Sequence, residues 1–138
     1  MEELSAAAVE RDEVDVMFIR IRDDVGEMKM AWERLEGIVG TRGRKFFGAY
    51  YPATKEYRVC VQLKEEDDPD ALGLETGTLP GGPCLRVRLR GEPPEVYERI
   101  GPTFQELARS TTPDETRPSI EFYRRFDEID LLLPVADE

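Results

Sequence analysis

Residues 117–135 read RPSIEFYRRFDEIDLLLPV, and the fold turns on how this stretch is read. Residues 119–124 and 129–135 are dense in aromatic and aliphatic side chains, and the charged run between them supplies a turn, so the stretch predicts a hairpin. Side chains alternate across a strand. Ile120 and Phe122 therefore share one face, read as the face a helix covers, while Ser119, Glu121 and Tyr123 share the other. An acid so placed is either solvated surface or the floor of a site.

Upstream, residues 84–90, CLRVRLR, alternate apolar residues with Arg, as a half-exposed strand does. Pro93 and Pro94 suit the first turn of a helix. Val96, Tyr97, Ile100, Phe104, Leu107 and Ala108 then recur at helical spacing, and Gly101-Pro102 predicts a kink or two short helices. The second half of the chain thus reads strand, helix, strand, strand.

The first half has the same order. VDVMFIRIR, residues 14–22, is a strand, and Asp23, Asp24 and Gly26 are helix-start signals. Met28, Ala31, Trp32, Leu35, Ile38 and Val39 form one apolar stripe, ended by Gly40 and Gly43. Residues 45–51, KFFGAYY, and 56–63, EYRVCVQL, form a hairpin around Pro52-Ala53-Thr54-Lys55. The chain thus reads as βαββ twice, an α+β fold, over about residues 14–63 and 76–135 of a single domain at 14–135. Residues 1–13 read as a flexible acidic lead-in. Residues 64–82 read as an acidic, Gly-rich connection with a short strand at 76–79.

The 138 residues are the length of one domain, and 40% apolar residues can fill a core. Thirty acids against 19 bases leave a net charge of -11, a field that repels phosphate backbones and anionic membranes. Nucleic-acid and membrane partners are therefore not expected; cationic ligands or basic protein surfaces are. No apolar run approaches the roughly 20 residues of a bilayer helix. The start, MEELSAAAVERDE, lacks a basic n-region, so a cytoplasmic location is expected. Cys60 and Cys84 read as reduced core thiols. The chain has no His, which removes Ser-His triads and most zinc sites. The acidic run at 65–70 lacks the spacing of a calcium loop. No metal and no cofactor are expected, and Arg86, Arg88 and Arg90 read as an exposed strand face.

Glu121 has Tyr123 on its face, and the aromatics of KFFGAYY occupy both parities, with Phe46 and Tyr50 on one and Phe47 and Tyr51 on the other. One face can meet the helix; the other needs a second cover. A carboxylate walled by aromatic rings suits a lipophilic cation, because Coulomb attraction and cation–π contact act together.

Pro118-Ser119-Ile120-Glu121-Phe122-Tyr123, followed by an acidic turn and Leu131-Leu132-Leu133-Pro134-Val135, resembles the GyrI-like small-molecule-binding domain. This is the family of gyrase inhibitory protein and of the effector domains of multidrug-responsive and AraC-type regulators. Phe47-Gly48-Ala49-Tyr50-Tyr51 is similar to its aromatic-Gly-x-aromatic strand, and Leu79-Pro80-Gly81-Gly82 to its Pro-Gly step. The resemblance implies a pseudo-twofold pair of βαββ modules with antiparallel sheets and a ligand cleft between them that covers the second sheet faces. It implies that Glu121 is the acid on the cleft floor, with Tyr123, Tyr50 and Tyr51 nearby. No helix-turn-helix precedes residue 14, so a stand-alone domain is expected.

The leading reading is a protein that binds or sequesters lipophilic cationic or polar xenobiotics through Glu121, with Trp32, Phe47, Tyr50, Tyr51 and Tyr123 as walls. Trp32 also fits a plain core position in its helix. The alternative is a hydrolase of reactive electrophiles, with Glu121 activating water and Tyr123 donating to the leaving group. A third reading is an acidic module that binds a protein partner.

Overall fold

The computed structural model describes residues 6–22 and 24–136. Strands β1 (Ala7–Arg11), β2 (Val14–Arg22), β3 (Phe46–Tyr51), β4 (Glu56–Gln62), β5 (Glu75–Leu79), β6 (Gly82–Arg90), β7 (Ser119–Arg125) and β8 (Glu128–Pro134) alternate with four helical segments. These are α1 (Val25–Val39), the one-turn α2 (Pro69–Leu72), α3 (Glu95–Glu98) and α4 (Ile100–Arg109). The two βαββ modules expected from the sequence are β2-α1-β3-β4 and β6-α3/α4-β7-β8. β3 pairs with β7, so the modules share one continuous antiparallel sheet, ordered β1-β6-β8-β7-β3-β4-β2-β5.

Helix α1 begins where the Asp24 carboxylate accepts the Glu27 N–H at 3.0 Å, and it stops at Gly40, whose φ of 75° is left-handed. Asp23, the other expected start signal, lies outside the described residues. The second helix breaks at Arg99 rather than at Gly101-Pro102. Pro102 is the third residue of α4, where its missing N–H has no intrahelical partner to lose, so it is tolerated there.

Residues 1–13 do not form a flexible lead-in as a whole. Ala7–Arg11 are β1, an edge strand paired antiparallel with β6. Their short alternation, with Val9 turned to the core and Ala8 and Glu10 out, was hidden in an alanine-rich stretch. Residues 1–5 lie outside the described residues.

The two links Asp12-Glu13 and Pro80-Gly81 shape the whole sheet. Each joins strands that stand six places apart in the sheet order, about 29 Å in a flat sheet at ~4.8 Å per strand. A two-residue link spans only about 11 Å between flanking Cα atoms. The sheet therefore curls until its ends meet, and the links touch: a Cβ on Gly81 would lie 2.5 Å from the Arg11 carbonyl oxygen and 2.9 Å from the Glu13 nitrogen. Arg117 fastens the crossing by donating to the carbonyls of Gly81, Pro83 and Val135 while its Nε meets Asp114 at 3.0 Å.

The curled face is dry. Val16 and Phe18 from one end, Cys84 and Leu79 from the linked strands, and Phe47, Ala49, Ile120 and Leu132 from the middle form one cluster. This corrects two expectations. The second sheet face is covered by the sheet's own curl rather than by a ligand cleft. Ile120 and Phe122 point into that curl, whereas Ser119, Glu121 and Tyr123 lie on the helix-bearing face. There Met17, Val59 and Val61 pack under Ala31 and Leu35 of α1, and Val87, Ile129 and Leu131 pack with Val96 and Leu107 of α3 and α4.

Candidate functional site

Helix α1 lies over β2 and β4, and α4 lies over β8. The central strands β3 and β7 run beneath the gap between them, and Glu121 sits on that gap's floor. Register puts Gly48 of β3 on one side of Glu121 and Leu131 of β8 on the other. Only 9% of Glu121 is exposed. A carboxylate this buried is costly unless hydrogen-bonded. Its Oε1 accepts the Tyr57 hydroxyl at 2.8 Å and the Tyr123 hydroxyl at 2.5 Å.

Gly48 makes the arrangement possible. A Cβ there would stand 2.0 Å from the Tyr57 hydroxyl oxygen and 2.7 Å from Glu121 Oε1. Any side chain at position 48 would occupy the point where phenol and carboxylate meet. The aromatic-Gly-x-aromatic pattern of β3 therefore has a local physical cause: the glycine leaves the space that a carboxylate partner fills from the neighbouring strand.

Rings close the gap from above. Trp32 of α1 meets Tyr123 edge-on at 5.2 Å and Phe46 at 6.2 Å, and Tyr97 of α3 meets Tyr123 at 6.2 Å. Tyr97 is 40% exposed, so the ring on the α3 side meets solvent. Burial, then the nearby charge of Glu121, pushes the Tyr57 and Tyr123 hydroxyls well above the ordinary tyrosine range. Burial, then Glu36, raises Tyr97. Glu36 stands one helical turn from Trp32 on α1, which sets a second carboxylate beside the aromatic rim.

Of the residues singled out in the sequence, Glu121, Tyr123 and Trp32 come together here. Tyr50 lies on the same face, paired with Tyr57 and packed in the α1 cluster. Phe47 and Tyr51 do not join them. They occupy the opposite parity of β3, where Phe47 stacks on Phe122 at 4.9 Å and Tyr51 lies under the Arg58 guanidinium at 4.3 Å. Parity separated the two sets correctly, but the sequence did not say which set faced the helices. Tyr57, Tyr97 and Glu36 were missed. Tyr57 was findable, since it shares a parity with Val59 and Val61 directly across the hairpin from Tyr50 and Gly48. Tyr97 was absorbed into the apolar stripe of its helix.

Cys60 and Cys84 are free, buried thiols, and burial pushes Cys60 up to about 12. Among the described residues no group of three or more Cys, Asp and Glu is placed to hold a metal ion. None of their helices is long and apolar enough to cross a membrane.

No protein-family model and no curated protein matches the sequence. Solved structures do share the fold. An integron cassette protein from the mobile metagenome of Vibrio cholerae superimposes with a TM-score of 0.72 at 16% identity, over 95% of each chain. SAV2435 bound to tetraphenylphosphonium gives 0.69 at 10% identity, over 96% of this chain and 94% of that one. A hydrolase from Listeria innocua gives 0.58 at 11% identity, over 99% of this chain and 94% of that one. The doubled βαββ architecture implied by the resemblance to the GyrI-like domain is thus the architecture observed, and it is one that these structures hold in common across very different sequences.

Proposed function

We propose that this chain binds small molecules, and that its ligands are lipophilic or polar cations held over Glu121 between α1 and α3. The carrying observation is the buried Glu121 carboxylate on the floor of a ring-lined gap, where its Oε1 accepts from the Tyr57 and Tyr123 hydroxyls. A carboxylate held by neutral hydroxyl donors among aromatic rings attracts a cation. Trp32, Tyr123 and Tyr97 supply ring faces and edges, each good cation–π contact contributing roughly 0.5–2 kcal/mol. Ligand entry parts the Trp32–Tyr97 rim. The fold shared with tetraphenylphosphonium-bound SAV2435 supports the reading.

Trp32 is the sole tryptophan, so its fluorescence reports the site directly. Titration with tetraphenylphosphonium should give saturable quenching. Glu121→Gln keeps the shape and removes the charge, and should weaken the probe at least about tenfold, or ~1.4 kcal/mol. Equal affinity in the variant, or no saturation in the wild type, overturns the proposal.

Hydrolysis of a reactive electrophile is the second reading, supported by the 2.5 Å Tyr123–Glu121 pair and by the fold shared with the Listeria innocua hydrolase. In it Glu121 takes a proton from water as the oxygen attacks, and Tyr123 protonates the departing group. Mass spectrometry of an epoxide probe after incubation separates the two. Ring-opened product that disappears with Glu121→Gln supports turnover; unchanged probe rejects it.

A further inference from the structure

We propose that the groove at the open end of β3 and β7 is a second binding site, for a small organic anion that carries a carboxylate or phosphate on a flat apolar body. The groove has a volume of about 400 Å³ and is lined by Arg44, Lys45, Phe122, Tyr123, Arg124 and Arg125. Four of these six are cationic and none is acidic, in a chain whose net charge is -11. The β3–β7 register explains the gathering. Phe46 opposes Tyr123, so the residues just before Phe46 and just after Tyr123 are brought side by side.

The four cations are held differently. Arg44 is fixed: its side chain is 7% exposed, and its two terminal nitrogens each meet an Asp67 oxygen at 3.1 Å. Its buried Nε has no acceptor among the described residues. Arg124 leans away, toward Glu128 at 3.2 Å and Asp130 at 3.6 Å. Lys45 and Arg125 are exposed, and neither has a carboxylate within 4.0 Å among the described residues. Two uncompensated cations therefore flank a floor made by a rigid third, a geometry that favours one shared anion over separate solvent ions. Phe122 and Tyr123, which point to opposite faces of β7, supply the apolar lining where the strand ends.

The site adjoins the one at Glu121 and shares Tyr123 with it, but its charge comes from Arg44, Lys45 and Arg125 rather than from the carboxylate. Amide NMR shifts under titration with benzoate, and in parallel with inorganic phosphate, test the proposal. Benzoate should saturate with shifts confined to residues 44–45 and 122–125. Lys45→Gln/Arg125→Gln, both exposed and so neutral to folding, should weaken it at least about tenfold, a larger loss than Glu121→Gln produces through Tyr123. Phosphate should bind more weakly than benzoate, since it lacks the flat body. Shifts that do not saturate, that appear equally at Arg20 and Arg109, or that persist in the double variant overturn the site. Phosphate binding as well as benzoate overturns the aromatic part. Failure of benzoate with tetraphenylphosphonium still bound leaves the Glu121 reading standing.

Discussion

Opposite Glu121 the chain carries Gly48, and the two cannot be altered independently. A methyl at position 48 lands on the Tyr57 hydroxyl, so Gly48→Ala must push Tyr57 off its acceptor. Overpacking of this kind destabilises by about 1–3 kcal/mol, or roughly 3–10 °C in Tm for a domain of this size. Adding Tyr57→Phe removes the closest clashing atom and should recover part of the loss, a coupling that a double-mutant thermal series reads directly. Additive losses would mean that the two residues do not share the space. The phenols also predict an alkaline limit. Tyr57 and Tyr123 are raised by burial first and by Glu121 second, so the folded state holds protons that the unfolded chain releases near its ordinary pKa of about 10. Their contribution is complete below that pH and is lost as pH climbs through the raised folded values, at up to ~1.4 kcal/mol per pH unit for each hydroxyl. In an ultraviolet tyrosinate titration two phenols should ionise late and together with unfolding. Tyr57→Phe and Tyr123→Phe should each delete one late step. Full ionisation of every tyrosine with the fold intact would contradict this.

At the scale of elements, the chain was largely readable because most segments carry one unambiguous period. β2, α1, β4 and β8 each pair a clear repeat with an end signal: the Asp24 cap, the Gly40 stop, the Pro52–Lys55 turn. β1 was not readable. Five residues with two alanines give too little contrast, and the strand exists because β6 offers an edge, a tertiary fact. The facing of β7 was misread for a related reason. Ile120 and Phe122 look like the helix-side pair, and they would be in a flat sheet with one covered face. Here the uncovered face is also dry, since Phe47, Phe18 and Leu132 meet across the curl. Both parities are then apolar, and hydrophobicity no longer tells the faces apart. The acid could have done so: a buried Glu needs donors, and Tyr57, on the helix-side parity of β4, reaches it across Gly48 of β3.

The curl itself is a property of the whole molecule, set by two short links that cross. If the links fix it, glycine substitutions should divide by sign according to place. Gly81 lies at the crossing, and its Cβ would meet backbone atoms of residues 11 and 13, which cannot rotate away as a side chain can. Gly81→Ala should therefore force the sheet ends apart and destabilise by about 3 kcal/mol, the upper part of the overpacking range. Gly37 lies in the last turn of α1 on its exposed side, with nothing within 4 Å of its Cβ. Gly37→Ala should stabilise by about 0.5–1 kcal/mol, through helix propensity and a less free unfolded chain. Urea unfolding checks both together. A Gly81→Ala protein whose midpoint matches or exceeds the wild type would mean that the two links do not touch, and the closed face of the sheet would then need another cause. The same variant bears on function, because β3 and β7 lie at the centre of the curl. Opening its ends flattens the strands that carry Glu121, so tetraphenylphosphonium binding should weaken in Gly81→Ala and be unchanged in Gly37→Ala.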